Sequence, residues 1–311
     1  MSESVLDGLA TGRWTGAMVE LAAPVVDVTG AEDIARDVVV IPNQRVPLVP
    51  NIGVIGGEHS VLVVETGIGP RNAEKVLAFA TEYAKGRKLY LTTTHFHPEH
   101  AFGAQTFAED ATFLVNSAQA EDLSVKGPGY LAMFAGLGEA IARELRGVEL
   151  VKPDVVYEQS FDLDLGGRVV ELRATGRAHS KGDQVVRVPD EDVLFTGDLV
   201  EAGQFAIFPW FPPHDLDVSG VRWIEVVRRL AERRPRVVVP GHGDLGDTGL
   251  LTEVRDYLEL LRDETWLRRD SGMSEETIVE EITAAMIQRY PDWAGREWLE
   301  KGVGCLCAEH G

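Results

Sequence analysis

Cysteine is almost absent from this chain: two residues in 311, Cys305 and Cys307, both near the C-terminus. Their spacing is too short for an easy mutual disulfide, and no framework of the secreted type exists. They read as two ordinary thiols on a final turn. Long apolar runs are also missing, and no segment approaches the roughly 20 residues that a membrane-spanning helix needs. The start, Met1 to Asp7, has neither the basic residues nor the apolar core of a signal peptide. These absences favour the cytoplasm. Positive charge is in deficit, with 30 Lys and Arg against 50 Asp and Glu, a formal net charge of −20. Phosphate backbones are bound by Lys and Arg clusters, so a nucleic-acid partner is not expected. The nearest candidate, Arg228-Arg229 with Arg233-Arg234, is interleaved with Glu225 and Glu232 and reads as a solvated helix face. A Gly-x-Ser-x-Gly nucleophile motif is lacking as well. What remains is an ordinary globular composition, 44% hydrophobic and 26% charged, long enough to bury a sizeable core. The expected partner is a small-molecule substrate, with neither nucleic acid nor membrane.

Histidine is present in a telling place. Of eight in the chain, three fall in the run Thr94-His95-Phe96-His97-Pro98-Glu99-His100. The run follows the strand-like stretch Leu89 to Thr93. A strand end that opens into a short loop can aim several side chains at one point. A mixture of imidazole and carboxylate suits zinc, with iron or manganese as alternatives. Three later segments put metal-competent side chains after apolar strands. These are Val169 to Ala174 leading to His179 and Asp183, Val193 to Phe195 leading to Asp198, and Val237 to Val239 leading to His242. Singly, each reads as a loop residue or cap. In this order, with the run, they supply five histidines and the two carboxylates of Glu99 and Asp198, enough for two ions.

The ordered set resembles the metallo-β-lactamase-fold hydrolase superfamily, whose signature is His-x-His-x-Asp-His, then a distant His, a bridging Asp and a final His. Here those elements match His95, His97 and His100, then His179, Asp198 and His242. The strings Glu65-Thr66-Gly67, Phe195-Thr196-Gly197-Asp198 and Pro240-Gly241-His242-Gly243 extend the match over roughly residues 38 to 245. One position departs: Glu99 stands where the family has Asp. Its extra methylene either reaches the second metal from a new angle or fails to bind it. The resemblance implies a four-layer αββα sandwich with two zinc ions per chain at one edge between the sheets. It assigns His95, His97 and His179 to the first ion and Glu99, His100 and His242 to the second, with Asp198 bridging. Asp198 and Glu99 then count as catalytic together with the metal-bound hydroxide. Such ions lower the pKa of bound water from about 16 to roughly 7 and sit about 3.5–4 Å apart. The bridging hydroxide would attack a carbonyl while the metals polarise its oxygen and stabilise the leaving group.

Periodicity organises the rest. Residues 1–35 read as an N-terminal arm with a short helix, 36–247 as the metal-binding α/β domain, and 248–311 as a helical C-terminal extension. Strands are expected at Val38 to Ile41, Asn51 to Ile55, Ser60 to Glu65, Leu89 to Thr93, Thr112 to Val115, Val169 to Ala174, Gln184 to Val188, Val193 to Phe195 and Val237 to Val239. Helical spacing marks Asn72 to Lys85, Ser117 to Val125 and Val218 to Arg233. Residues 126–147 read as a loop-plus-helix insertion over the site. In the extension, Asp247 or Thr248 and Ser274 cap two helices, and a third short one follows Asp292 with Trp293 and Trp298. Packing on the sandwich, lining the entrance and a homodimer contact are the roles open to these helices.

Imidazole ligands need orienting partners. Glu65 is the candidate acceptor from a ligand histidine, Asp183 the candidate organiser of the His179 loop, and Thr94 a third. The aromatic stretch Phe205 to His214 reads either as a wall over the metals, through Phe205, Phe208, Trp210 and Phe211, or as a plug against the C-terminal helices. His214 reads as a loop residue or a proton shuttle. Arg177 and Lys181 read as surface charges or partners of a substrate carboxylate. Four functions are open: hydrolysis of an ester, lactone, thioester or lactam; phosphodiester cleavage; iron-dependent oxidation; and non-catalytic metal retention. Charge opposes the second, and the cost of burying ionisable ligands opposes the fourth.

Overall fold

A computed structural model describes residues 22–310. Most of the expected N-terminal arm, with any helix in positions 1–21, therefore lies outside the described residues. From there the chain makes a single 3-10 turn at Val28–Gly30, capped by Asp27. It then enters a seven-stranded sheet whose order follows the sequence, β1 to β7. Strands β1 (Glu32–Ala35), β2 (Val38–Ile41), β3 (Ile52–Gly56) and β4 (Ser60–Val64) pair antiparallel. Helix α1 (Gly69–Ala84) then carries the chain across to β5 (Lys88–Thr92), parallel to β4. A parallel neighbour requires such a crossover. The short α2 (Pro98–Ala101) leads to β6 (Ala111–Asn116), also parallel. Three helices, α3 (Ser117–Val125), α4 (Gly127–Ala135) and α5 (Glu139–Glu144), precede β7 (Val155–Tyr157).

The second sheet has five strands in the order β12-β11-β10-β9-β8. Strands β8 (Ser160–Asp164), β9 (Val169–Ala174), β10 (Gln184–Val188) and β11 (Val193–Glu201) form an antiparallel meander. Helix α6 (Gly220–Glu232) crosses to β12 (Val237–His242), parallel to β11. Alternation along the strands sorts side chains into layers. Val38 and Val40, Leu62 and Val64, Val186 and Val188, and Val193 and Phe195 meet between the two sheets. Their neighbours Val39, Ile41, Val61 and Val63 face outward onto α1 through Ala73, Val76 and Ala80. Val185, Leu194 and Val238 face outward on the other side, onto α6. The result is the four-layer αββα sandwich.

Helices α7 (Thr248–Asp270), α8 (Glu275–Arg289) and α9 (Trp298–Glu309) extend the outer layer of the second sheet. Asp247 and Ser274 cap the first two through their side chains. Sequence reading placed the third helix just after Asp292; it begins at Trp298, while Trp293 stacks on Tyr290 with ring centroids 4.3 Å apart. Both cysteines are buried in α9. Leu251, Val254, Tyr257, Leu258, Leu261, Leu299 and Val303 share one core with Trp223, Ile224, Val227 and Leu230 of α6. Among the described residues, no helix is long and apolar enough to cross a membrane.

The aromatic stretch after β11 takes the second of its two readings, a plug against the C-terminal helices and not a wall over the metals. Phe205 is wholly buried against Tyr257, Tyr290 and Trp293. Phe208 is wholly buried against Trp223, at 5.0 Å between centroids. Trp210 packs on the edge of the same core, and Phe211, half-buried, lies under Lys301 of α9. The helical extension offered these rings more apolar surface than the polar site could.

Two outcomes are expected. Phe205→Ala should lower stability by about 3–5 kcal/mol, the usual cost of emptying a buried aromatic site, without changing bound metal; urea unfolding beside metal analysis checks it. A chain ending at residue 247 should be insoluble or lack a cooperative melt, because the α6 core would face water. A soluble, cooperatively unfolding fragment would contradict the shared core.

Candidate metal centre

The run that opens the site is positioned by polar ties beneath it. Gln184 on β10 donates to Thr92 Oγ1 at 2.8 Å and to Thr93 O at 2.7 Å, joining the two sheets below the loop. His97 has an extended backbone and precedes Pro98, which occupies the first turn of α2, where proline costs no hydrogen bond. His95 and His97 leave the extended loop, and Glu99 and His100 leave the helical turn. Thr66 clamps that turn: its Oγ1 donates to His100 O at 2.9 Å and accepts from Gly103 N at 3.1 Å.

The distant residues arrive on the second sheet. His179 sits in the β9–β10 loop. Asp183 accepts from Ser180 N at 2.9–3.0 Å and from Ser180 Oγ at 2.5 Å, closing the turn that presents it. Asp198 lies inside β11 and His242 ends the neighbouring β12. Two glycines make room. Gly197 has φ +52°, and a Cβ there would collide with Thr94. A Cβ at Gly241 would overlap the carboxylate of Asp198. Asn51, not singled out from the sequence, donates to Pro240 O and Gly243 O, both at 2.9 Å, and so braces the turn that bears His242.

These elements bring two donor groups together. His95, His97, His179 and Asp198 form one; Glu99, His100, Asp198 and His242 form the other. Within each group the offered atoms lie within 4.8 Å of one another, and every member is buried. The glutamate that departs from the family pattern thus falls with the second group. In the first, His97 Nδ1 lies 2.9 Å from His95 Nε2 and 3.0 Å from His179 Nε2. Asp198 faces both groups: Oδ2 is 3.7 Å from His95 Nε2 and His179 Nε2, and Oδ1 is 3.3 Å from His100 Nε2 and 3.5 Å from His242 Nε2.

Partners behind the rings fix which nitrogen faces the centre. His179 Nδ1 donates to Ile207 O at 2.9 Å, and His242 Nδ1 donates to Val49 O at 3.0 Å. Thr94 Oγ1 gives its proton to Glu65 Oε1 at 2.6 Å, so it accepts from His95 Nδ1 at 3.1 Å. Glu65, whose φ of +75° is strained for a side-chain-bearing residue, also lies 3.3 Å from His100 Nδ1.

Electrostatics favour cation binding. Burial, followed by the other imidazoles, holds His95 and His97 well below the usual histidine range. Burial lowers His179 to about 4 and also lowers His242. These rings are neutral at pH 7 and present lone pairs. At His100 burial acts downward, but Asp198 and Glu65 outweigh it and raise the imidazole well above its range. Asp198 is held well below the carboxylate range, because His100 and His242 overcome burial. Two carboxylates therefore draw positive charge to this spot, where a bound divalent cation would compete with a proton. Burial raises Glu99 to about 7.

The donor set fits a pair of metal ions. Among the described residues, buried side-chain atoms that face the centre without a hydrogen-bond partner include Glu99 Oε2, His100 Nε2, Asp198 Oδ1 and His242 Nε2. Each such atom ordinarily costs about 1–3 kcal/mol, so their concentration at one point asks for a ligand. His100 lies close to carboxylates, yet those contacts are not aligned as hydrogen bonds.

Other expected residues fall elsewhere. Arg177 is spent on the carbonyls of Leu216, Asp217 and Val218, and Lys181 on Glu121, so neither points to substrate. His214 lies outside both donor groups. Glu201 was missed. Buried at the end of β11, it accepts from Ile207 N at 3.0 Å, supporting the carbonyl that holds His179. The clue was the unbroken buried run of β11, which extends past Asp198 to Glu201. Trp223 was seen only as a helix residue; it packs its ring edge-on against His179 at 5.4 Å.

Comparison with known proteins agrees with this geometry. The model of the Metallo-beta-lactamase superfamily matches residues 45–242, more than half of the chain; α7 to α9 lie beyond it. A Metallo-beta-lactamase type 2 of Bacteroides fragilis is 25% identical over 225 residues, covering 68% of this chain and 78% of that protein. Its namesake from Bacillus cereus is 24% identical over 218 residues, covering 68% and 74%. The solved metallo-beta-lactamase from Pontibacter korlensis superposes with a TM-score of 0.58 at 20% identity, over 74% of this chain and 98% of that one. Fold, donor geometry and family match converge: the chain belongs to the metallo-beta-lactamase superfamily.

Proposed function

We propose that this protein is a hydrolase that holds two zinc ions on either side of Asp198 and cleaves a small ester, lactone, thioester or lactam. The observation that carries the reading is the pair of four-donor groups sharing one carboxylate. Divalent cations bound there supply a water made acidic enough to ionise near neutral pH and a Lewis acid for a carbonyl oxygen.

The chain's own contribution is to hold the donors ready. His95, His97 and His179 are kept neutral by burial, so no proton must leave before they bind. Asp198 turns one oxygen to each group. Glu99 adds a carboxylate to the second group, where a histidine-rich set would otherwise carry more uncompensated positive charge. Lactams belong in the substrate class because relatives 24–25% identical are named metallo-beta-lactamases. The acidic net charge of −20 supports a small neutral or uncharged acyl substrate over a polyanion.

Asp198→Ala should bind neither ion tightly. Its hydrolysis of a panel of lactones, thioesters, aryl esters and β-lactams should fall by more than the 10–100-fold typical of losing an outer partner. Mass-spectrometric metal analysis checks this, and two ions per chain with full activity would refute the assignment. Glu99→Ala should keep one ion, at the three-histidine group, and lose the other. Two retained ions would remove Glu99 from the donor set. Iron as the native metal, with oxygen consumption in place of hydrolysis, would replace this reading by oxidation.

A further inference from the structure

His97 is held differently from its neighbours. His95, His179 and His242 each have the nitrogen remote from the centre bonded to an oxygen, on Thr94, Ile207 and Val49 respectively. His97 points Nδ1 inward, and its Nε2 is buried with no hydrogen-bond partner. Among the described residues, no hydrogen bond at the remote nitrogen sets the angle of this ring.

A tyrosine takes that place. The ring of Tyr130, from α4 in the insertion over the site, stacks on His97 with centroids 5.0 Å apart and planes 19° apart. Phe96 meets both rings, at 4.7 Å from His97 and 4.9 Å from Tyr130. Tyr130 is itself fixed at its far end. Its hydroxyl donates to Asp215 Oδ2 at 2.8 Å. Asp215 also accepts from Lys126 Nζ at 2.9 and 3.0 Å and from Asp217 N at 3.0 Å. Lys126 further pairs with Asp217 at 2.7 Å and Asp122 at 3.5 Å. Two segments distant in sequence, 122–130 and 215–217, are thereby locked together behind one imidazole.

We infer that Tyr130 is a positioning residue for the three-histidine group: its ring, anchored through Asp215 and Lys126, orients His97 by stacking where His95, His179 and His242 use hydrogen bonds. The inference rests on the metal-centre reading above. Because the Tyr130 hydroxyl is committed to Asp215, it is not a proton donor to substrate. The ring sets only the plane of His97, so its effect belongs to one donor group and not to the one containing His242.

The test is cobalt or zinc affinity of the full chain, resolved into its two sites by competition with a chelator. Tyr130→Leu should weaken one site by about tenfold or more, the range for losing an orienting partner, and leave the other unchanged. Tyr130→Phe keeps the ring and loses the anchor, so a smaller loss at the same site is expected. Phe134→Leu removes a neighbouring ring, 6.2 Å from Tyr130, without touching His97, and should leave both affinities intact. Wild-type affinities in Tyr130→Leu, or equal losses at both sites, would overturn the inference. Should Tyr130→Leu fail to fold, unchanged binding in Tyr130→Phe would do so. A wild-type chain that binds no metal would instead bring down the metal-centre reading.

Discussion

Four imidazoles lie within 3.7 Å of one buried carboxylate, Asp198, and the rest of the site depends on that convergence. Neutral histidines with inward lone pairs repel one another, and buried polar atoms without partners oppose folding. A bound cation would offset that cost, and would then tie metal affinity to stability. The carboxylate is the pivot because each of its oxygens faces a different group.

The sandwich exists to hold that pivot still. Two sheets sealed by Val, Leu and Phe side chains leave their strand ends at one edge, and the ligands leave from β5, the β9–β10 loop, β11 and β12. Close approach then requires small residues, which explains the glycines beside Asp198 and His242. A layer of orienting groups lies behind the ligands: Thr94, Glu65, Asp183, Asn51, Glu201 and two backbone carbonyls. Behind that layer, the C-terminal helices close the outer core through Trp223 and Phe208, with Trp223 touching both that core and His179. The helices thus reach the site through packing.

The sequence made the donor set legible because its members sit in local signals, each a metal-competent side chain just after an apolar run. Glu65 and Asp183 were legible for the same reason, as neighbours of those signals. Strands β1, β7 and β8 were not. They lie at sheet edges and carry mixed burial, so alternation is too weak to mark them. The aromatic stretch 205–211 was ambiguous because composition says that rings are buried, not against what. Only the helices of the extension settle that. Tyr130 and Asp215 act across a gap of 85 residues and Asn51 across 189 and 192, and no spacing rule reports contacts of that kind.

The most direct measurement is anomalous diffraction, at the zinc edge, from crystals of the protein purified without chelators. Two peaks, one on each side of the Asp198 carboxylate, are predicted: one among His95, His97 and His179, the other among Glu99, His100 and His242. An active protein with no peak there, or with metal bound only elsewhere, would contradict the account.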